Sequence, residues 1–256
     1  MNEMTEITGP EARMDAPEKV GGSAEDVARA VAASGVVVLD MPGLEVADFV
    51  AFMGQMGPLM FTTGETPVPN FPDLNIVTNV ARKTKPKSVF HSDTTYVARP
   101  PSYSGLYAVE VPEAGGATLF TDQYAAYDLL PATLKALLEG ATMRHEVTGV
   151  ELPDGEEREA RHPVVRRHPM TGRPALYLTT PARCSELKLK TGEDRSDLID
   201  MLYEHSLTRA PCKAHRWTQG DIVIWDNRCT LHAADHSAVV GHRTLFRALV
   251  RGEAPT

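Results

Sequence analysis

The stretch FHSDTTYVARPP, which begins at Phe90, sets His91 and Asp93 two residues apart. Imidazole and carboxylate are both good metal donors and good proton carriers near neutral pH. The run reads as a strand, where residues i and i+2 project from one face, so both donors can reach one ion. A third ligand must then come from another strand, remote in sequence. Seven of the nine histidines (His145, His162, His168, His205, His215, His236 and His242) fall in loops, helices or charged runs and read as hydrogen-bonded or solvated side chains. His232 differs, because it follows DIVIWDNRCTL, where a strong strand emerges at Asp226 and Asn227.

Two histidines and one carboxylate occupy one face of an octahedron and leave three positions open. A chelating cosubstrate and O2 can fill them, which is the arrangement of non-haem Fe(II) oxygenases. Such an iron needs a two-electron reductant, and a 2-oxo acid supplies the electrons by decarboxylation. If that acid is 2-oxoglutarate, its distal carboxylate calls for a permanently charged, bidentate partner, a role that Arg fills better than Lys. Arg243 stands eleven residues after His232, and Arg247 four further on, on the same side of a strand. One can hold the cosubstrate and the other an anionic group on the substrate. His-x-Asp alone is a weak signal; with a distal His and a following Arg it is much stronger. The same ligands around zinc would serve a hydrolase, which has no use for the arginine. A non-catalytic jelly-roll binding protein that keeps a metal for stability is a further alternative.

These side chains need a scaffold. GSAEDVARAVAASG reads as a helix with Ser23 as N-cap, Asp26 in a capping box and Gly35 closing it. VVVLD from Val36 is a buried strand, and VADFVAFMGQMG carries Val46, Phe49, Val50 and Met53 at helical spacing. Residues 58–72 are rich in Gly, Pro and Thr and read as loop. LNIVTNV, SYSGLYAVEV and the end of PEAGGATLFTD read as strands, the last after a tight turn. Asp122 can cap QYAAYDLL, and Pro131 fits the first position of PATLKALLEG. The polar segment 141–173 reads as a long loop, and a loop of that length in a compact domain is usually a functional lid. PALYLT is a strand, DRSDLIDMLYEHSL an amphipathic helix, and CKAHRWTQGDIVIWDNRCTLHAADH and RTLFRALVRG are β in character. Many short strands with inserted helices exclude a βαβ parallel sheet and fit closed or sandwiched antiparallel β.

The chain has 256 residues, and its composition is 42% hydrophobic and 23% charged, ordinary for a globular protein. No linker divides it, so residues 23–256 read as one domain and residues 1–22, acidic and without an apolar core, as a flexible leader. A net charge of -8 argues against nucleic acid as a partner. No segment approaches the about 18 apolar residues of a membrane span. Cys184, Cys212 and Cys229 form no CxxC and fit reduced thiols in a cytoplasmic protein.

HSDTTY, GGATLFTD, RHPVVRRHPMTGRPALYL, GDIVIWDNRCTLH and HRTLFR, in that order, resemble the taurine dioxygenase/TfdA-like family of Fe(II)- and 2-oxoglutarate-dependent dioxygenases, over about residues 35–252. The resemblance implies a mainly β fold, a double-stranded β-helix (jelly roll, cupin-like) with flanking helices. It implies His91, Asp93 and His232 as iron ligands, and Thr118 with Arg243 as partners of the 2-oxoglutarate distal carboxylate. In taurine-using members the arginine matching Arg247 grips the sulfonate. Related halogenases have Ala or Gly where Asp93 stands, so hydroxylation or a sibling oxidation (desaturation, epoxidation or cyclisation) is implied, with O2 consumed and succinate and CO2 released. The loop LMFTTGETPVP lacks the His and Tyr of taurine-using members, Lys87 replaces their Asn, and Thr94 replaces an apolar residue after the carboxylate ligand. Taurine itself is therefore not expected. Arg247, Thr94 and Lys87 are the expected substrate contacts, for a small anionic molecule or a secondary-metabolite intermediate. Segments 60–71 and 141–173 are the expected lids, and Trp225 and Asp226 the expected supports of His232. Relatives form dimers or tetramers, so a homo-oligomer is expected as well.

Overall fold

The computed structural model describes residues 14–80 and 88–256. In chain order the elements are β1 (Glu18–Val20), α1 (Ala24–Ser34), β2 (Val36–Leu39), α2 (Val46–Met56), β3 (Leu59–Met60), β4 (Pro67–Val68), β5 (Phe71–Thr78), β6 (Pro101–Glu110), β7 (Thr118–Asp122), α3 (Gln123–Asp128), α4 (Ala132–Leu138), β8 (Thr142–Glu146), β9 (Glu159–Pro163), β10 (Val165–Arg167), β11 (Pro174–Leu176), β12 (Cys184–Lys188), α5 (Ile199–Thr208), β13 (Cys212–His215), β14 (Ile222–Asp226), β15 (Thr230–Ala234) and β16 (Thr244–Arg251). The large sheet runs β1-β2-β14-β6-β16-β5-β4, with β3 beside β16. A small sheet runs β13-β7-β15, and β12-β8-β9 and β10-β11 form two more. The architecture is a jelly roll with helices packed outside, as expected.

Strand alternation sorts the side chains into three layers. In β14, Ile222 and Ile224 face outward and pack with Val27 and Val31 of α1 and Phe49 and Met53 of α2. Val223 and Trp225 face inward and meet Leu106, Ala108, Leu245 and, from the small sheet, Phe120. On the far side of the small sheet, Leu119, Leu231 and Ala233 pack under α4 and α5 with Leu138 and Leu202. Each such burial is worth roughly 1.5–3 kcal/mol, so the register of these strands is firmly set. Gly105 in β6 makes room for α2, since a Cβ there would stand 2.8 Å from the sulfur of Met53.

The local signals held where they rest on caps. Ser23 and Asp26 form the capping box of α1, and Gly35 ends it at φ 79°. Asp122 accepts from the backbone of Tyr124 and Ala125 at the start of α3. Pro131 is the N-cap of α4 and not its first residue, a shift of one position. Among the described residues, no helix is long and apolar enough to cross a membrane.

Three expectations are corrected. The described part of the leader, residues 14–22, contains β1, which adds to β2 in parallel, and Asp15 bridges Lys213. Backbone hydrogen bonds hold this edge, and they need no hydrophobic run. Segment 58–72 is pinned by β3 and β4 to β16 and β5, so it is less open than its composition suggests. Segment 141–173 is no long loop: β8, β9 and β10 lie within it, leaving 147–158 between β8 and β9. Its inward residues include His145 and His162, both buried, which hid the alternation behind polar letters.

Candidate metal and cosubstrate site

His91 is not within a regular strand. It makes one antiparallel bridge to His232, each backbone N–H donating to the other's carbonyl at 2.9 Å, and the chain then turns. The same-face argument for His91 and Asp93 is thus corrected: the turn, and not a pleat, brings the carboxylate round. Thr94, inside that turn, sits at φ 46°, a left-handed conformation that a β-branched residue rarely adopts. Asn227 anchors the turn by accepting from the Asp93 N–H (3.4 Å) and, through its carbonyl, from the Ser92 hydroxyl (3.1 Å).

The outcome is one cluster. Donor atoms of His91, Asp93 and His232 all lie within 4.8 Å of one another. His91 Nε2 is 3.7 Å from Asp93 Oδ1, and His232 Nε2 is 3.8 Å from Asp93 Oδ2. His91 Nδ1 donates to the Val89 carbonyl at 3.0 Å, which leaves the Nε2 lone pair for a metal. Burial, and next the neighbouring His91, pushes the His232 pKa down to about 3, so its imidazole is neutral and ligand-ready at pH 7. Burial alone would raise the Asp93 carboxyl; the neighbouring Arg247 guanidinium is the largest opposing influence, and the group is held well below the usual range. Two histidine nitrogens and a carboxylate whose oxygens accept from Arg247 and Ser104 but keep further lone pairs fit a divalent first-row ion such as Fe(II).

Asp93 is oriented by residues that the sequence did not single out. Ser104, on the inner face of β6, donates to Oδ2 at 2.7 Å, and the Asn227 amide donates to the Ser104 oxygen at 2.7 Å. Trp225 donates to Asn227 Oδ1 at 3.2 Å, and its ring packs 4.5 Å from that of His232. The expected support from Trp225 is therefore packing. Asp226 does not support His232: alternation turns it to the opposite face of β14, where it binds His168 (2.9 Å) and Arg228 (2.6 Å).

Thr118 lies in β7 two residues from Phe120, the position paired with His232. Two strand steps put it roughly 6.6 Å along the same inner face. Its hydroxyl accepts from Arg243 Nη2 at 3.1 Å and from Trp217 Nε1 at 3.0 Å. Gly116, at φ 75°, lets the preceding turn pass close by: a Cβ there would come within 3.2 Å of the Arg243 side chain. Among the described residues, three arginines are buried. Arg228 pairs with Asp226 and Arg166 with Glu253, whereas Arg243 has no carboxylate among the described residues and its Nε has no partner. Burial lowers its pKa to about 10. A buried guanidinium with no carboxylate partner among the described residues, bonded to Thr118 on the inner face that also carries the position paired with His232, has the chemistry to take a carboxylate such as the distal group of 2-oxoglutarate.

Arg247 joins the cluster from β16. Its Nη1 donates to Asp93 Oδ1 at 3.1 Å and its Nη2 to Glu65 at 3.4 Å. Segment 60–71 also touches the site through Thr62, whose hydroxyl lies 3.3 Å from that of Thr94. Lys87 lies outside the described residues.

The family model described as Taurine catabolism dioxygenase TauD, TfdA family matches residues 3–249. Over 176 residues the chain is 37% identical to an alpha-ketoglutarate-dependent 2,4-dichlorophenoxyacetate dioxygenase of Cupriavidus pinatubonensis, covering 65% of this chain and 61% of that protein, less than two thirds of its length. It is 30% identical over 217 residues to pentalenolactone F synthase of Streptomyces arenae, covering 73% of this chain and 72% of the relative. A crystal structure of a taurine dioxygenase from Burkholderia xenovorans matches with a TM-score of 0.77 at 25% identity, covering 95% of this chain and 90% of that one. With its ligand cluster, its buried arginine and a match over nearly its whole length, the chain belongs to the TauD, TfdA family of dioxygenases.

Proposed function

We propose that this protein is a non-haem Fe(II)- and 2-oxoglutarate-dependent oxygenase that oxidises an unactivated C–H bond of a small anionic organic molecule. The observation that carries the reading is the pairing of the His91, Asp93 and His232 cluster with a buried arginine that lacks a counter-ion. His91, Asp93 and His232 would hold the metal, and Thr118 and Arg243 the distal carboxylate. With Fe(II), 2-oxoglutarate and O2 bound, the chemistry supplied is RH + 2-oxoglutarate + O2 → ROH + succinate + CO2.

The chain's own part is positioning and exclusion of water. Ser104 and Asn227 fix the Asp93 carboxylate, so the ligand set is held in place before any ion arrives. Trp225 and Phe120 wall the His232 side with apolar rings. Arg247 and Thr94 lie on the substrate side. The contact between Arg247 and Glu65 is long, and Glu65 is exposed, so an anionic substrate group can replace that carboxylate on the guanidinium. Residues 61–66, between β3 and β4, carry Thr62 and Glu65 to the site and would cover the bound molecule as a lid does. Relatives named for a phenoxyacetate, a carboxylate, and for taurine, a sulfonate, support an anionic substrate. The pentalenolactone F synthase relative supports a tailoring step in secondary metabolism.

The test is anaerobic. Fe(II) is added to the apo-protein, 2-oxoglutarate is titrated, and the visible charge-transfer absorption of the chelate is followed; O2 is then admitted and succinate measured. The band and succinate are expected. A folded, iron-loaded protein that shows neither would refute the reading.

A further inference from the structure

One buried side chain beside Arg247 has no hydrogen-bond partner among the described residues. Asn75, in β5, stands directly opposite Arg247 in the β5–β16 pair and is 0% exposed. Strand parity gives its direction. Leu74 and Ile76 belong to the outer layer against the helices, and Val77 to the interior between the sheets. Asn75 therefore points inward, with its Cβ roughly 4.5–5.5 Å from that of Arg247. Both Nδ2 and Oδ1 are buried without a hydrogen-bond partner, and so is Arg247 Nε.

An unpaired carboxamide in an interior is costly, and Val or Ile would suit a strand there better. Of the guanidinium's nitrogens, Nη1 is engaged by Asp93 and Nη2 by the displaceable Glu65, and Nε–H has no partner among the described residues and is open toward a ligand. Two neighbouring inner-face residues thus present two unused donors and one unused acceptor, next to the carboxylate of the metal cluster. We infer that Asn75 is a specificity-determining residue of the substrate subsite: its NH2 and the Arg247 Nε–H together take up one oxyanion group, a carboxylate or sulfonate, of the substrate. This rests on the anionic-substrate reading above and deepens it.

The test uses the full chain, with Fe(II) and 2-oxoglutarate, under nitrogen. Phenoxyacetate and benzenesulfonate serve as probes, and binding is read by calorimetry. The wild type is expected to bind at least one probe. Asn75→Leu should weaken that probe at least tenfold, Asn75→Asp should weaken it more by charge repulsion, and 2-oxoglutarate affinity should stay within about twofold. Without probe, Asn75→Leu should also melt higher than the wild type, because an unpaired amide has been replaced by an apolar group of similar size. A lower melting temperature would mean that the amide serves the fold, and unchanged probe affinity would mean that it does not meet the ligand; either overturns the inference. So does a wild type that binds neither probe yet still turns over 2-oxoglutarate. Loss of 2-oxoglutarate binding in the wild type would instead strike the parent reading.

Discussion

Replacing Arg243 by Met should abolish the preference for 2-oxoglutarate over a 2-oxo acid without a distal carboxylate. Arg243 is 3% exposed, donates to Thr118 at 3.1 Å, lies 5.8 Å from the ring centre of Trp217 and meets no carboxylate among the described residues. A charge-assisted hydrogen bond to such a group contributes roughly 1.5–3 kcal/mol, which corresponds to about a 10- to 150-fold change in affinity. 2-Oxopentanoate keeps the keto acid that would chelate the metal and carries methyl where 2-oxoglutarate has its distal carboxylate. Wild type should therefore bind 2-oxoglutarate more tightly than 2-oxopentanoate by that factor. In Arg243→Met the two should agree to within about threefold, the shared keto-acid end being untouched. The assay is the anaerobic titration of Fe(II)-loaded protein followed at the charge-transfer band, with four dissociation constants closing a double-mutant cycle. The variant should also fold at least as well as the wild type without cosubstrate, since a buried uncompensated charge has been removed. A variant that kept the full preference would show that the distal carboxylate binds elsewhere. One that unfolded would show that Arg243 has a structural role which its geometry does not disclose.

Ser104→Ala removes the hydroxyl that donates to Asp93 at 2.7 Å, and Fe(II) affinity, measured by competition with a chromophoric chelator, should fall roughly 10- to 100-fold. Arg247→Gln should weaken binding of the anionic substrate while sparing 2-oxoglutarate, and equal losses for both would merge the two subsites. His145 is buried with both ring nitrogens unpartnered, and burial holds its pKa near 3, against about 6.5 for a free histidine. Below pH 6.5 the unfolded chain binds the proton and the folded one does not, so this residue's contribution falls as pH drops toward 3, by up to about 1.4 kcal/mol per pH unit. His145→Phe should flatten that acid limb in urea melts taken between pH 6.5 and 5, and an unchanged limb would place the sensitivity elsewhere.

The clustering of His91, Asp93 and His232 was legible in the sequence because it rests on residue type and order. His91, Asp93, His232 and Arg243 are polar letters set among apolar strands, and polar letters on an inner face demand a use. The route by which Asp93 reaches the two histidines was not legible, because a turn with Thr94 at φ 46° leaves no mark in a pattern of polar and apolar residues. Ser104 and Asn75 were missed for a related reason. Each is a single polar residue within a strand, and the sequence does not say whether it faces solvent or the interior until the register of β5, β6 and β16 is known.

That register also decides which side chains face the site. Thr118 and His232 come from β7 and β15, Arg243 from the residue just before β16, Arg247 from its middle, and Ser104 from β6, and all project into the space between the two sheets. A slip of one residue in β16 would turn Arg247 toward the helices and bring Phe246 inward, exchanging a charge for an aromatic ring on both faces at once. The outer face opposes such a slip with Ala248 and Val250, which are fully or almost fully buried against the outer core. At roughly 25 cal/mol for each Å² of apolar surface buried, the packing that keeps those residues outside also keeps the two arginines inside. The two inward arginines are thus held by residues on the opposite face of the same strand.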